Sequence, residues 1–227
     1  MHLIKIGGSL TYDAEPLLKA LKKYAKENDK KVVVIPGGGE FANIVRKIDK
    51  NLKISNSLSH KLAIKCMDLV GEVYAEIGNI KAYDTLFDLK REIEKEKIAV
   101  ILPSKILLST DMAEHSWAIT SDSLSLYIGK LLDVREVIIA TNVDGIYDKF
   151  PEGKLLNIIN ANDIKGLTSV DETFPILLKQ FKMNAYVVNG KYPERVIDIL
   201  EGKHNIYTKI IGIGKRSNAS LRPAKLL

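Results

Sequence analysis

The chain has 227 residues, of which 46% are hydrophobic and 27% are charged, the profile of a globular protein that buries a sizeable core. It contains no apolar run long enough to span a bilayer and no basic-then-apolar leader, so we expect a cytoplasmic protein with no membrane partner. Cys66 is the only cysteine, which excludes an intrachain disulfide.

The net charge of +6 favours anionic partners, but the lysines are mixed with glutamates on helix faces, so we do not expect nucleic-acid binding. Abundant lysine and glutamate, with Gln180 as the single glutamine, are typical of thermophiles.

Apolar β-branched runs alternate with helical patterns along the chain, which predicts a largely parallel sheet covered by helices on both faces. Strands are predicted, in chain order, at Leu3–Ile6, Lys31–Ile35, Ala99–Leu102, Glu136–Thr141, Ala185–Val188 and Ile206–Ile210. Helices are predicted at Ala14–Glu27, Glu40–Lys50, Leu58–Ile77, Ser121–Leu132, Asp171–Lys182 and Pro193–Leu200.

Two glycine-rich turns follow the first two predicted strands. Residues 7–9 read Gly-Gly-Ser directly after Lys5-Ile6, and residues 37–39 are three glycines between a strand and a helix. Glycines let backbone N–H groups approach a phosphate, and a helix N-terminus adds the positive end of its dipole. Either turn alone fits an ordinary turn, and neither matches the P-loop or dinucleotide spacing. Because parallel strands share one carboxyl edge, we expect both turns and Lys5 to meet there and bind phosphate.

The segment Thr120-Ser121-Asp122-Ser123 precedes an apolar helical run. It is sufficient as a helix N-terminus, with Thr120 or Ser121 as the cap. An aspartate at this place also fits a second use, which is to orient Lys5 or to help hold a magnesium ion.

The segment Thr141–Asp148 leaves the predicted strand Glu136–Thr141. Its Asp-Gly pair fits a surface turn. Its polar side chains, with Tyr147 as an apolar wall, also fit a nucleotide site.

Together and in this order, these four segments resemble the amino acid kinase family over nearly the whole chain, most specifically in Thr141–Tyr147. The resemblance implies an α/β fold, a three-layer αβα sandwich with an open, mainly parallel sheet, in one domain over residues 1–210, with a basic tail over 211–227. It implies ATP and Mg²⁺, with the acceptor toward the N-terminal half, ATP toward the C-terminal half, and the metal held by ATP phosphates rather than by side chains. It also implies a homo-oligomer, a dimer or larger.

The resemblance also assigns roles to matching positions. Lys5 would stabilise the transferred phosphoryl group, and Asp122 would organise Lys5. The phosphate-binding residues would be Gly7, Gly8, Ser9, Gly37, Gly38 and Gly39, and the ATP-binding residues would be Thr141, Asn142, Asp144, Gly145 and Tyr147.

Two departures from the family pattern qualify these roles. Many members carry a second catalytic lysine where this chain reads Ser169–Thr173, and the usual Gly-Thr near the C-terminus is Tyr207-Thr208 here, which puts the last ATP contact in doubt. The aspartate-containing stretch resembles uridylate kinases, whose acceptor is already a phosphate. Without these elements, a non-catalytic nucleotide-binding or storage protein on the same fold stays an alternative.

The stretch Glu114–Trp117 is similar instead to an archaeal branch that acts in methanofuran biosynthesis on an aminomethylfuran phosphate. That branch implies a small phosphorylated substrate, with uridylate as the alternative. The acceptor-side candidates are His60, Lys61, Glu114 and Trp117. Lys61 equally fits a helix surface, Trp117 fits a core aromatic, and Glu114 or Asp68 would meet the aminomethyl group.

Overall fold

We describe a computed structural model of the chain over residues 1–149, 153–165 and 169–212. The strands are β1 (His2–Ile6), β2 (Val32–Pro36), β3 (Ala82–Tyr83), β4 (Ile98–Ile101), β5 (Glu136–Thr141), β6 (Ile158–Asn160), β7 (Asn184–Asn189) and β8 (Thr208–Ile211). The α-helices are α1 (Ala14–Glu27), α2 (Gly39–Leu52), α3 (Asn56–Gly78), α4 (Leu86–Glu96), α5 (Ser104–Thr110), α6 (Ser121–Leu131), α7 (Phe174–Phe181) and α8 (Pro193–Leu200). Short 3₁₀ helices span Gly8–Leu10 and Ala161–Asp163.

The strands form one eight-stranded sheet in the order β3-β4-β2-β1-β5-β7-β8-β6. Every pairing is parallel except β7 with β8, which is antiparallel. β1 is central, and Lys5 is in register with Ile35 of β2 and with Ile139 of β5. The carboxyl ends of β1, β2 and β5 therefore lie side by side, which brings the segments that follow them to one edge of the sheet.

The sheet is buried on both faces. Alternate residues of β1 and β2 enter two separate cores, with Leu3 and Val33 in one and Ile4 and Val34 in the other. Burial on both faces explains why these strands read as continuous apolar runs rather than alternating ones. The predicted three-layer α/β sandwich with a mainly parallel sheet is confirmed.

Several elements differ from the sequence prediction. The strands β3 and β6 and the helices α4 and α5 are not predicted. α4 is mostly charged and buries only Leu89 and Ile93, so its apolar pattern is too sparse to detect. α7 begins at Phe174 rather than Asp171, because the Asp171 carboxylate accepts hydrogen bonds from the first turn instead of joining it.

No helix in the described residues is long and apolar enough to cross a membrane. Of the predicted tail over 211–227, Ile211 closes β8 and Gly212 is described, whereas residues 213–227 lie outside the described part of the chain.

Candidate active site

The two glycine turns lie in direct contact at the carboxyl edge of the sheet. The amide of Gly37 donates to the carbonyl of Ile6 over 2.8 Å. A Cβ added to Gly37 would lie 2.5 Å from the amide nitrogen of Gly8, and one added to Gly8 would lie 2.6 Å from that of Gly39. A side chain at either position would overlap the backbone of the other turn, so only glycine fits there. The sheet-edge argument from the sequence predicts this juxtaposition.

Lys5 reaches the same point from the end of β1. Its Nζ lies 2.6 Å from Oδ1 of Asp122, and the two residues are only 5% and 9% exposed. A Cβ added to Gly7 would lie 3.5 Å from Lys5 Nζ, so the ammonium stands against the first glycine turn. Asp122 occupies the first turn of α6, whose N-cap is Thr120. The ion pair thus holds one positive charge beside a set of backbone amides, an arrangement suited to a phosphoryl group.

Asp171 lies in the stretch Ser169–Thr173, where the family resemblance predicts a second catalytic lysine that this chain lacks. Its carboxylate accepts hydrogen bonds from the backbone amides of Thr120 (2.9 Å), Ser123 (3.0 Å) and Phe174 (2.9 Å). Burial, reinforced by the nearby Asp122 carboxylate, raises the pKa of Asp171, and the hydrogen bonds from Ser123 and Thr120 oppose that rise. Asp171 therefore ties the N-termini of α6 and α7 together and supports the segment that carries Asp122.

A cavity of about 460 Å³ lies beside the glycine turns and is lined mainly by residues of the N-terminal half of the chain. His60 and Trp117, predicted on the acceptor side, line it, whereas Lys61 and Glu114 are exposed and are not among the lining residues. The phosphate-binding candidates that line it are Gly8, Ser9, Gly38 and Gly39.

Sequence reasoning missed four polar residues of this cavity, namely Tyr12, Glu40, Asn43 and Arg46. Glu40, Asn43 and Arg46 lie three residues apart along α2, which begins at Gly39. Helical spacing from the glycine turn is the signal that would have found them, because residues on the near face of that helix must border any ligand at its N-terminus.

The far wall of this cavity is built from aromatic and cationic side chains. The indole Nε1 of Trp117 donates to Oδ2 of Asp49 over 2.6 Å, and the guanidinium of Arg46 lies 4.9 Å from the Trp117 ring centroid. The ring of His60 stacks on that of His115 with centroids 4.8 Å apart. Burial and the neighbouring His115 lower the pKa of His60, so its imidazole is neutral at pH 7.

A second cavity of about 610 Å³ is lined mainly by residues of the C-terminal half of the chain. The ATP-binding candidates that line it are Thr141, Asn142, Gly145 and Tyr147. Ser9 lines both cavities, and its Oγ lies 3.5 Å from Oγ1 of Thr141. The two cavities therefore meet at the first glycine turn, beside Lys5.

Asp144, also an ATP-binding candidate, is not among the residues that line this cavity. Its Oδ1 accepts hydrogen bonds from Nη1 of Arg195 at 2.6 Å and from Nδ2 of Asn189 at 3.0 Å. The geometry gives Asp144 a structural contact, which holds the loop after β5 against β7 and α8.

Thr208 belongs to the pair Tyr207-Thr208, which stands where the family usually has Gly-Thr. It is buried beneath the loop that follows β5. Its Oγ1 accepts from the amide of Ile146 at 2.8 Å and donates to the carbonyl of Leu156 at 2.5 Å. A Cβ added to Gly145, whose φ is +156°, would lie 2.4 Å from that oxygen. Thr208 thus fastens the loop that lines the second cavity.

Within the described residues, no group of three or more His, Cys, Asp or Glu side chains is arranged to hold a metal ion. Cys66 is buried, and burial raises the pKa of its thiol, which fits a core side chain rather than a nucleophile.

Comparison with known proteins places this arrangement in a family. A family model described as the amino acid kinase family matches residues 1–198. The chain belongs to the amino acid kinase family. Its fold and its class as a kinase, both predicted from the sequence, are thereby confirmed.

Individual members differ widely in their similarity to the chain. The [5-(aminomethyl)furan-3-yl]methyl phosphate kinase of Methanocaldococcus jannaschii is 90% identical over 215 residues, which cover 95% of this chain and 100% of that protein. A uridylate kinase of Thermococcus kodakarensis is 22% identical, with 88% of this chain and 95% of that protein covered. The crystal structure of uridylate kinase from Archaeoglobus fulgidus has a TM-score of 0.69 at 18% identity, covering 92% of this chain and 100% of that one, and it shares the fold.

Proposed function

We propose that this kinase transfers the γ-phosphoryl group of ATP to (5-(aminomethyl)furan-3-yl)methyl phosphate and forms its diphosphate, a step of methanofuran biosynthesis. The observation that carries the proposal is the meeting of two cavities at Ser9, beside the ion pair of Lys5 and Asp122. The substrate follows from the relative with 90% identity, which is named for that reaction.

In this proposal the acceptor occupies the cavity with His60 and Trp117, and ATP occupies the cavity with Asn142 and Tyr147. An oxygen of the acceptor phosphate forms a bond to the γ-phosphorus while the bond from that phosphorus to the β,γ-bridging oxygen breaks, and ADP leaves. The acceptor phosphate is already anionic at neutral pH, so the reaction needs no general base. Catalysis then comes from placing the two anions in line and neutralising their charge.

The chain's own groups would supply that neutralisation at one point. Lys5 faces the first glycine turn. In this proposal the amides of that turn and of Gly38 and Gly39 would surround the transferred group. Gly8, Gly38 and Gly39 line the acceptor cavity and carry no side chain, so their backbone can approach phosphate oxygens. Mg²⁺ bound to the ATP phosphates would supply further charge neutralisation.

An ADP-release assay tests the proposal with three acceptors, which are the aminomethylfuran phosphate, UMP and isopentenyl phosphate. We expect kcat/KM for the first to exceed the others by about 100-fold or more. Preferred turnover of UMP would make the chain a uridylate kinase, the function of more distant relatives. ATP binding without transfer to any acceptor would favour the non-catalytic alternative.

We further propose that the kinase is a homo-oligomer and works in the cytoplasm, where ATP is available. Its α2 carries exposed apolar side chains at helical spacing, namely Phe41, Ile44, Ile48 and Leu52. An apolar stripe of this length on a helix surface fits a protein interface. Light scattering after gel filtration would measure the mass, and a monomer at micromolar concentration would contradict the proposal.

A further inference from the structure

The carboxylate of Glu40 borders the cavity that receives the acceptor phosphate in the proposed function. Among the described residues that line the acceptor cavity it is the only carboxylate, and it follows Gly39 directly in the first turn of α2. Two like charges a few ångströms apart repel each other, and more strongly near a protein surface than in water. A carboxylate at this position therefore opposes the binding of an anionic acceptor unless a cation accompanies it.

Arg46 lines the same cavity but does not pair with Glu40. Its guanidinium instead donates to Oδ1 of Asn43 at 2.9 Å and lies over the Trp117 ring. In the described ranges no lysine, arginine or histidine pairs with Glu40 within 4.0 Å, and the hydrogen bond it accepts comes from Oη of Tyr12 at 2.9 Å. Tyr12 is 81% exposed, so it spans the cavity rim instead of filling a core position. The tyrosine fixes the direction of the carboxylate and, being neutral, does not balance its negative charge.

We propose that Glu40, oriented by Tyr12, binds an ammonium group of the acceptor and so selects an aminated phosphate over other phosphate monoesters. This inference rests on the function proposed above, whose substrate carries a primary amine that is protonated at neutral pH. Uridylate and isopentenyl phosphate carry no such group, so the same carboxylate would repel them without compensation. In this arrangement the glycine turns bind the phosphate group of the acceptor. Glu40, which follows Gly39 in α2, binds its ammonium group.

The other carboxylates considered for this contact are placed less well. Glu114, which is exposed as Glu40 is, does not line the cavity. Asp68 is engaged at the N-terminus of α5, where its Oδ1 accepts from the amide of Ser104 at 3.0 Å. Glu40 is thus the carboxylate that a cavity-bound amine would meet.

The test compares two acceptors in wild type and in Glu40→Gln. One acceptor is the aminomethylfuran phosphate, and the other is its analogue with a methyl in place of the aminomethyl group. Wild type should prefer the amine by about 10- to 100-fold in kcat/KM, as for a charge-assisted hydrogen bond. In E40Q that preference should fall to about threefold or less, because kcat/KM falls for the amine and stays the same or rises for the methyl analogue, which the carboxylate no longer repels.

Three further variants sharpen the test. Tyr12→Phe should weaken the preference by a few-fold, because the tyrosine only orients the carboxylate. Glu114→Gln should retain it, and loss of the preference in E114Q but not in E40Q would overturn the proposal. Glu27→Gln, at the C-terminal end of α1, is the matched control and should behave as wild type.

The remaining outcomes separate the inference from the proposed function. Equal losses on both acceptors in E40Q, or losses that excess Mg²⁺ restores, would give Glu40 a role in folding or metal binding and overturn the inference alone. Equal use of both acceptors by wild type would do the same. Failure of wild type to phosphorylate either acceptor would remove the proposed function and the inference together. Circular dichroism of E40Q would check that the variant is folded.

Discussion

Lys5 Nζ and Asp122 Oδ1 lie 2.6 Å apart, although the two residues are separated by 117 positions in the sequence. The pair joins the end of the central strand β1 to the N-terminus of α6. Since both side chains are buried, each removes much of the free-energy penalty of burying the other's charge. The lysine therefore has a fixed position beside the first glycine turn, where the proposed reaction needs a positive charge.

Replacing Lys5 by methionine should separate catalysis from nucleotide binding. We expect kcat to fall by about 100- to 1,000-fold, because the charge acts mainly on the transition state, while the Kd for ATP changes by less than about threefold. Turnover assays and calorimetric ATP titrations measure the two quantities. Comparable losses in both would contradict a transition-state role.

The same substitution should also lower stability, since it leaves Asp122 buried without a partner, at a cost of about 3–5 kcal/mol. The double variant Lys5→Met, Asp122→Asn should recover much of that stability while staying inactive. A double variant that regained activity would show that the pair serves folding alone.

The contact between the two glycine turns predicts a severe effect of Gly37→Ala. The new Cβ would stand 2.5 Å from the amide nitrogen of Gly8, and a backbone atom cannot yield as a side chain does. We expect a loss of about 1–3 kcal/mol in unfolding free energy and near-complete loss of turnover, because the turns must separate. Thermal melts and activity per folded molecule are the measurements.

Gly202→Ala is the matched control for that variant. Its φ of +70° strains an alanine, but no atom lies within 4 Å of the new Cβ. It should lose about 1–2 kcal/mol of stability and keep its activity. If G37A retains activity in proportion to its folded fraction, the turns do not hold the transferred group.

The convergence of Lys5 and the two glycine turns follows from sequence, because parallel strands share one carboxyl edge and these segments border that edge. The segment carrying Asp122 follows no predicted strand, and only the family resemblance places it beside Lys5. Which way a side chain points from that edge does not follow. Asp144 reads as a nucleotide ligand, yet it turns to Arg195, 51 positions later in the chain. Only the packing of α8 against the sheet brings that partner close, and no local pattern encodes it.

Helix faces near the site show the same limit. His60 and Lys61 are neighbours on α3, but only His60 lines the cavity, since adjacent helical residues point about 100° apart. Predicting which one faces inward requires the rotation of α3, which its packing against α2 and the sheet determines. Glu40 was missed for a related reason, because beside three glycines it reads as an ordinary first-turn acid.

Thr208→Val should loosen the nucleotide loop while preserving side-chain volume. The variant leaves the amide of Ile146 and the carbonyl of Leu156 without the hydroxyl that now bonds both. We expect a loss of about 1–3 kcal/mol in stability and a rise in KM for ATP of about tenfold, with kcat less affected. Thr208→Ser keeps the hydroxyl and should restore KM. A T208V enzyme with the wild-type KM would show that the loop needs no such support.

Stability should fall as the pH is lowered from 7 to 5, partly because of His60. Its pKa is lowered in the folded state by burial and by His115, so between that pKa and the ordinary value of 6.5 the unfolded chain binds more protons. The unfolding free energy therefore rises with pH across this window, by at most about 1.4 kcal/mol per pH unit for one group. His60→Gln should flatten this slope without abolishing it, because burial lowers the pKa of His2 as well. Urea unfolding at several pH values tests this, with His204→Gln, an exposed position, as the control, and an unchanged slope in H60Q would refute it.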